Sequence, residues 1–375
     1  MSSLSQLALA PLGVAYGAAV RVRLALYRGG VLKAHGAGVP VLSVGNITAG
    51  GTGKTPLVEW LARAVAEREG LRVCVLTRGY GREGAGRVVV SDGAEVKADA
   101  RAGGDEPRLL AERLLGCGVA VVADADRVAA ARWARENLGS EVFVLDDGFQ
   151  HQRLARDLNV VTVDASDPWG GARLLPAGRL REPRGELRRA DCVVITRAEA
   201  AEDLTELRGE IAESSGGRPV FAARTATLGV RLLSPGESEI AANQNAGGRA
   251  VEGGARKVAA LQPLSALRSV ASQPAAAFCG IGNPRAFFAH LRREGFALAH
   301  ERAFRDHQFY GQSEVDALCR ESAACGASAL VTTAKDAVKL TGLRFALPCY
   351  VLETGLSFEN ESGFLELVRA AVRRA

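Results

Sequence analysis

The sequence predicts an α/β protein with a doubly wound, mostly parallel sheet and a second, smaller α/β domain. Between residues 39 and 225, short valine-rich runs alternate with amphipathic helical patterns. The runs are apolar nearly throughout, which is typical of strands covered on both faces. Alternation of such strands with helices indicates parallel βαβ units.

The predicted strands of the first domain are rich in valine. They lie at residues 39–45, 72–79, 118–124, 141–147, 159–165 and 191–196. The amphipathic stretches "PLVEWLARAVAERE" and "DRVAAARWARENL" predict two of the helices between them. The strand–helix pattern resumes in "PAAAFCGIGNPRAFFAHLRREGF", followed by two further strand patterns and a closing helix, "FLELVRAAVRR".

These patterns predict four segments. Residues 1–35 form an N-terminal helix, 36–225 the core domain, 226–268 a linker with an insertion, and 269–375 the smaller domain. Within the linker, residues 234–260 are rich in Gly, Ala and Asn without any period, which is typical of a surface insertion.

Length and charge exclude several classes of protein. The 375 residues suit two domains, and 47 basic against 42 acidic side chains leave only +5. That mild excess favours an anionic ligand or membrane surface, and no nucleic-acid-reading motif is present. The seven cysteines are scattered and never spaced as CxxC, which predicts reduced thiols in a cytoplasm.

The first 20 residues carry no charge and are followed by Arg21, Arg23, Arg28 and Lys33. A signal peptide would have its positive charges before the apolar stretch. Proline, glycine and serine make the stretch a poor membrane span. Two interpretations remain open: a helix at an anionic bilayer surface, or a helix packed on the protein's own core.

The stretch "ITAGGTGKTPLVEW" predicts a phosphate-binding loop between a strand and a helix. Glycine backbone N–H groups and the helix N-terminus would bind phosphate, with Lys54 on the β and γ phosphates and Thr55 on Mg²⁺. The strict motif has glycine at the position of Thr48. The candidate nucleotide-binding residues are Thr48, Ala49, Gly50, Gly51, Thr52, Gly53, Lys54 and Thr55. We therefore expect a P-loop NTPase-like fold.

The strand "VFVLDDGFQHQ" ends in Asp146 and Asp147. Open parallel sheets bind ligands at the carboxyl ends of their strands. An apolar strand ending in aspartate is typical of the metal-organising partner of a phosphate loop. We therefore expect Mg²⁺ near Asp146 and Asp147, with Gln150 as a further candidate ligand.

Three other polar stretches are ambiguous from the residues alone. Asp105, just before a helix, fits an N-cap, and His307 in "AFRDHQFY" fits a structural histidine. The basic loop "LLPAGRLREPRGELRR", which contains Arg179, either grips an anion or is simply solvated.

Taken together, these stretches resemble one family. The motifs "SVGNITAGGTGKTP", "TRGYGR", "GDEP", "LDDGFQHQ", "LLPAGRLREP", "FCGIGNP", "FRDHQFY" and "TTAKDAVKL" occur in this order. The ordered set closely resembles tetraacyldisaccharide 4′-kinase, the lipid A 4′-kinase of Gram-negative envelope synthesis, including the Thr48 departure.

The resemblance implies transfer of the γ-phosphate of ATP to the 4′-hydroxyl of a tetraacylated glucosamine disaccharide 1-phosphate, with ATP and Mg²⁺ as cofactors. It implies a peripheral protein on the cytoplasmic face of the inner membrane, with neither nucleic acid nor an obligate protein partner. It pairs Asp105, as the base, with His307. It also makes Glu106 a Mg²⁺ neighbour and Arg179 a clamp on phosphate charge.

Two rival functions belong to other classes. In a regulatory or partitioning ATPase the loop acts as a switch, but those loops need a lysine where this sequence has Ala49. A P-loop kinase for a small soluble sugar or nucleoside would have no use for the uncharged N-terminal stretch. Acceptor-free ATP hydrolysis would indicate the switch, and detergent dependence would separate the two kinases.

Overall fold

The computed structural model describes residues 3–233 and 271–374. The chain forms two compact units, one made of Met1–Ala226 with Leu356–Ala375 and the other of Thr227–Gly355. The predicted insertion at 234–260 lies outside the described residues.

The first unit contains a sheet in the order β8-β7-β6-β1-β5-β2-β4-β3. Neighbouring strands are parallel except for the antiparallel edge pair β3 and β4. The strands are β1 (Val41–Asn46), β2 (Val73–Thr77), β3 (Val88–Ser91), β4 (Ala120–Ala123), β5 (Val142–Asp146), β6 (Leu158–Asp164), β7 (Cys192–Thr196) and β8 (Val220–Leu232), which continues into the second unit.

Helices cover both faces of this sheet. They are α1 (Ser3–Arg28), α2 (Lys54–Glu69), α3 (Ala100–Gly103), α4 (Asp105–Arg113), α5 (Arg127–Leu138) and α6 (Thr205–Ser215), with 3₁₀ turns at Arg184–Arg189 and Ala198–Ala200. On β2, Val75 packs in the core beside Leu61 of α2, whereas Leu76 packs on the opposite face beside Ala131 of α5. Because alternate side chains of the strands are buried on opposite faces, the strands are apolar throughout, and the predicted doubly wound fold is confirmed.

The second unit is a smaller parallel sheet in the order β10-β9-β11-β12. Its strands are β9 (Ala275–Cys279), β10 (Leu298–Ala303), β11 (Ala329–Thr333) and β12 (Cys349–Phe358), and its helices are α7 (Pro284–Arg293), α8 (Gln312–Ala324) and α9 (Ala334–Ala337). The helix α7 packs Phe288 and Leu291 on one face, and α8 packs Leu318 on the other. This unit is therefore a three-layer α/β structure as well.

The last helix, α10 (Glu361–Arg374), returns to the first unit. Its Phe364 and Val368 belong to the core that contains Leu57 of α2. The ring of Phe364 lies 5.5 Å from that of Trp60 and 5.2 Å from that of Phe221. The structure thus differs from the predicted segment 269–375, whose final helix packs with the core domain.

Helix α1 is continuous through Pro11 and has two different faces. On one side, Gly13 and Gly17 lie against Leu174 and the loop that follows it, and Leu24 is 3% exposed. The opposite side exposes apolar side chains. These are Leu12 at 57%, Val14 at 70%, Val22 at 60% and Leu26 at 36%. Leu9–Arg28 is long and apolar enough to cross a membrane, with a mean hydropathy of 1.3, a criterion that core helices of soluble proteins also meet.

Candidate active site

The side chain of Asn46 anchors the loop between β1 and α2. This side chain is fully buried, and its Nδ2 donates to the Thr48 carbonyl oxygen at 2.6 Å and to Thr52 Oγ1 at 2.8 Å. The Thr52 hydroxyl also lies 3.0 Å from Thr162 Oγ1 at the end of β6. The loop is thereby attached to two neighbouring strands before any ligand binds.

The end of β7 fixes the glycine part of the loop. Thr196 Oγ1 donates to the Thr52 carbonyl oxygen at 2.8 Å, and Arg197 Nη1 donates to the Gly51 carbonyl oxygen at 2.8 Å. Gly53 caps α2 at φ 74°, and a Cβ there would lie 3.1 Å from Thr196 Cβ. Only glycine combines this left-handed backbone with so close a neighbour. The backbone carbonyls of the loop are thus anchored on the sheet side.

Thr48 stands where the strict motif has glycine, and the structure shows what holds it. Thr48 is 2% exposed and forms an antiparallel bridge with Leu180. The next amide, Ala49 N, donates to the Arg179 carbonyl oxygen at 2.6 Å. The Arg179 side chain is exposed and paired with Asp167. The basic loop therefore supports the phosphate loop through its backbone, and the Arg179 guanidinium lies at the surface.

Lys54 is the first residue of α2 and contacts one of the paired aspartates. Its Nζ lies 3.5 Å from Asp147 Oδ1. Asp147, at φ 51°, also accepts from Arg181 Nη1 at 2.8 Å on each carboxylate oxygen. Burial acts to raise the pKa of Asp147, but Lys54 and Arg181 outweigh burial and hold that pKa below its usual value. Asp147 is therefore a carboxylate that stays ionised at neutral pH.

Asp146 lies in the opposite environment at the end of β5. It is 3% exposed, and its Oδ2 accepts from Thr77 Oγ1 at 3.1 Å. Burial, together with Glu106 and Asp147, raises the pKa of Asp146 to about 7. Its Oδ1 is buried without a hydrogen-bond partner. Buried polar atoms are almost always hydrogen-bonded, so this oxygen is a candidate for binding a ligand.

The predicted Mg²⁺ ligands fit a cation that also binds phosphate. Among the residues that the structure describes, no group of three or more His, Cys, Asp and Glu could hold a metal alone. Mg²⁺ needs no such group, because it usually takes one or two carboxylates plus substrate phosphates. The Asp146 Oδ1 atom suits that role. Gln150 is already engaged, since its Nε2 donates to the Asn46 carbonyl oxygen at 2.9 Å and its Oε1 accepts from Arg181 at 3.3 Å.

Asp105 is the first residue of α4 and is 4% exposed. The cap position belongs to Gly104, and Asp105 Oδ1 accepts from the Glu106 amide at 2.9 Å. The interpretation of Asp105 as an N-cap is therefore wrong. His307 lies in the second unit at φ 60°, and its amide donates to Asp306 Oδ1 at 3.0 Å.

Several residues at this site were not predicted from the sequence. Asn46, Thr77 and Arg181 make the contacts described above. Arg127 is 5% exposed, and burial lowers its pKa against the opposing charges of Asp146 and Asp147. Arg181 had a signal, because it lies in the same basic loop as Arg179. The others look like ordinary strand-end or helix-start residues. Asn46 directly precedes the loop, whereas only the fold brings Thr77 and Arg127 to the site.

Comparison with known proteins shows similarity to one family over nearly the whole chain. The family model described as tetraacyldisaccharide-1-P 4′-kinase matches residues 5–373. The tetraacyldisaccharide 4′-kinase of Geobacter metallireducens is 43% identical over 333 residues, covering 88% of each chain. That of Anaeromyxobacter sp. strain Fw109-5 is 42% identical over 373 residues, covering 98% of this chain and 92% of the relative.

A solved structure is also similar. The crystal structure of LpxK from Aquifex aeolicus in complex with ATP has a TM-score of 0.72 and 31% identity, covering 98% of this chain and 99% of that one. The P-loop fold and the family resemblance predicted from the motifs are both confirmed. The chain belongs to the tetraacyldisaccharide-1-P 4′-kinase family.

Proposed function

We propose that this protein is a kinase of lipid A biosynthesis. It transfers the γ-phosphate of ATP to the 4′-hydroxyl of tetraacyldisaccharide 1-phosphate and forms lipid IVA. The observation that carries the proposal is the unpartnered Asp146 Oδ1 beside an anchored phosphate loop, in a chain that matches the family over residues 5–373. A fixed loop with a metal-binding carboxylate is what phosphoryl transfer from a nucleotide requires.

The nucleotide phosphates would lie on the loop of residues 48–55. The amides of Gly50, Gly51 and Gly53 and the N-terminus of α2 supply donors for phosphate oxygens. Lys54 supplies the compact positive charge for the β and γ phosphates, and it lies 3.5 Å from Asp147 before they bind. Arg179, exposed at the edge of the basic loop, is the further cation for the phosphates.

Mg²⁺ would be held by Asp146 Oδ1 and the Thr55 hydroxyl, with Asp147 and Glu106 contributing negative charge around it. When bound, Mg²⁺ neutralises charge on the β and γ phosphates. The raised pKa of Asp146 follows from burial and the neighbouring carboxylates, and a cation there would favour its ionised form.

Asp105 is the proposed base for the acceptor. A sugar hydroxyl is a weak nucleophile, so a carboxylate that accepts its proton helps the new O–P bond to form. The acceptor oxygen attacks the γ-phosphorus, the bond from that phosphorus to the bridging oxygen breaks, and ADP leaves. Asp105 takes the proton, and the family resemblance makes His307 a further proposed catalytic residue.

The exposed apolar face of α1, its outer face, suits an enzyme with a lipid substrate. Leu12, Val22 and Leu26 are exposed on the side of the helix that faces away from its glycine contacts. Arg21 follows the uncharged stretch and would lie near the headgroup level of an anionic surface. We propose a peripheral protein on the cytoplasmic face of the inner membrane, with α1 docked on its own fold and partly buried in the bilayer.

The direct test is transfer of ³²P from γ-labelled ATP to purified disaccharide 1-phosphate in detergent micelles, resolved by thin-layer chromatography. The wild type should label the lipid. Lys54→Ala should lose nearly all transfer with an unchanged melting temperature, because Lys54 begins the helix at the loop and packs in no core. Lys97→Ala, which removes a largely exposed lysine paired with Asp92, is the matched control.

Two results would contradict the proposal. A rate of ATP hydrolysis that is the same with and without the acceptor lipid would indicate a switch ATPase. Equal phosphorylation of a deacylated disaccharide or a free sugar would indicate a kinase for a soluble substrate.

A further inference from the structure

In the second unit, the carboxylate of Asp336 joins three segments of chain. It is fully buried, and its Oδ1 accepts from the Gly280 amide at 3.0 Å and from Tyr310 Oη at 2.8 Å. Thr333 Oγ1 donates to its Oδ2 at 2.7 Å, and Lys339 Nζ lies 3.1 Å from Oδ1. The end of β9, the loop after β10 and the end of β11 therefore meet at one charged group.

The loop after β10, residues 304–310, is packed tightly against this group. The ring of Tyr310 meets Phe278 at 6.0 Å and Phe304 at 5.2 Å, both edge to face. A Cβ on Gly280 would lie 2.9 Å from the Arg305 carbonyl oxygen and 3.0 Å from Tyr310 Oη, so this approach requires glycine. Burial and Asp336 raise the pKa of Tyr310, so its hydroxyl keeps the proton that it donates.

The proposed catalytic residue His307 lies in this loop. Its backbone is left-handed at φ 60°, which is uncommon for a side chain other than glycine and persists where the surroundings hold it. Its amide donates to Asp306 Oδ1, which also accepts from Lys335 Nζ at 3.2 Å. Lys335 directly precedes Asp336, and Tyr310 follows His307 by three residues. The adjacent residues Lys335 and Asp336 thus hold the loop on both sides of His307, at Asp306 and at Tyr310.

We propose that Tyr310 and Asp336 are positioning residues that hold His307 in its active conformation. This rests on the proposed role of His307 in phosphoryl transfer. It also gives a function to the motifs "FCGIGNP" and "TTAKDAVKL", which the nucleotide site does not use. A buried ion pair such as Asp336 with Lys339 adds little to stability compared with apolar packing. A fully bonded carboxylate does fix one arrangement of the segments around it.

The test is Tyr310→Phe, which removes the hydroxyl and keeps the ring contacts with Phe278 and Phe304. Tyr350→Phe is the matched control, because Tyr350 packs in the other core cluster of the same unit. Tyr310→Phe should lower kcat by about 10-fold to 100-fold, the size expected for a misplaced catalytic group. The KM for ATP should stay close to wild type. The melting temperature should fall only modestly, because Asp336 keeps its contacts with the Gly280 amide, Thr333 and Lys339.

A double-mutant cycle separates positioning from a general effect on the fold. In a His307→Ala background, Tyr310→Phe should cause no further loss of kcat. The same loss in both backgrounds would overturn the inference, as would a fully active Tyr310→Phe alongside an impaired His307→Ala. A fully active His307→Ala would instead overturn the proposed role of His307 itself, and the inference with it.

Discussion

Asp146 and Asp147 are adjacent in the chain, yet their carboxyl groups lie in opposite electrostatic surroundings. Lys54 and Arg181 surround Asp147, and they hold its pKa down against the effect of burial. Asp146 has the Thr77 hydroxyl and a buried, unpartnered oxygen, and its pKa rises to about 7. Two carboxyls whose pKa values are pushed apart have separate roles. Asp146 is the group that we propose for metal binding, whereas Asp147 pairs with Lys54 and Arg181.

This difference predicts a pH effect on the nucleotide-free protein. Unfolded Asp146 loses its proton near pH 4, whereas the folded group keeps it to about 7, so stability falls as pH rises between these values. The free energy of unfolding of Asp146→Asn relative to wild type should therefore rise by roughly 2 kcal/mol from pH 5.5 to pH 8. Urea unfolding in EDTA at the two pH values measures this change. Asp92→Asn is the control, because Asp92 has no part in raising the pKa of Asp146. The pKa of Asp92 is lowered to about 2, so its contribution is lost only in acid, and the variant should differ from wild type equally at both pH values.

A second prediction concerns Asp105. If it accepts the acceptor proton, Asp105→Asn should lower kcat by roughly 10²–10⁴ with a normal melting temperature. Asp99→Ala is the contrasting control, because Asp99 does cap α3 by accepting from the amides of Arg101 and Ala102. That variant should lose about 1 kcal/mol of stability and keep its turnover. Near-normal kcat in folded Asp105→Asn would exclude Asp105 as the base.

At the scale of elements, helix α1 confirms one of the two interpretations that its sequence left open, packing on the protein's own core, and its opposite face supports our proposal of a bilayer surface. One face docks on the fold, where Tyr16 Oη donates to the Arg181 carbonyl oxygen at 3.0 Å and Arg23 Nη2 to that of Gln150 at 3.1 Å. The other face exposes apolar side chains to the surroundings. The same helix therefore links the apolar surface to the loops that carry Arg181 and Gln150.

These two faces predict separable effects. Replacing Leu12, Val22 and Leu26 by glutamine should release the protein from anionic vesicles in a flotation assay. It should also raise the KM for lipid more than that for ATP, with an unchanged melting temperature. The matched control replaces Leu228 and Leu232, which are exposed to 49% and 38% in the second unit. A fall in melting temperature without loss of vesicle binding would assign the outer face to folding instead.

The sequence predicted most elements, and the exceptions have a physical cause. Central strands such as β5 are buried on both faces, so they read as apolar runs. The strands β3, β8 and β10 were missed. β3 is four residues long, β10, "LAHERA", has no fully buried side chain, and the middle of β8 is only partly buried or exposed. The phosphate loop could be predicted from the sequence because its glycines and its lysine lie together in the chain. Asn46 directly precedes the loop but was not recognised as its anchor. Thr77 and Arg181 are distant in sequence and come to the loop only through the fold.

At the scale of the molecule, the second unit interrupts the first. The chain leaves the first unit along β8 and returns along β12, so Thr227–Gly355 is inserted between the core strands and α10. The returning helix fills the core beside α2, with the Phe364 ring 5.1 Å from that of Phe358 and 5.5 Å from that of Trp60. The stability of the nucleotide-binding unit therefore depends on residues near the end of the sequence.

Phe364→Ala should accordingly lower the free energy of unfolding of the first unit by about 3–5 kcal/mol, as expected for a large side chain in a packed core. Hydrogen exchange should speed up in β1 and β5, which belong to that unit. Val372→Ala, on the same helix but only partly buried, should cost much less. Faster exchange confined to the second unit would contradict this assignment of α10.

The late arrival of α10 also shapes how the protein is made. Ribosomes add about 5–20 residues per second, so synthesis of Thr227–Gly355 delays the last helix by on the order of ten seconds. During that interval Leu57 and Trp60 of the nascent nucleotide-binding unit lack their apolar contacts with α10. Chains whose translation stops early never gain these contacts. We therefore expect such chains to aggregate when they are overproduced.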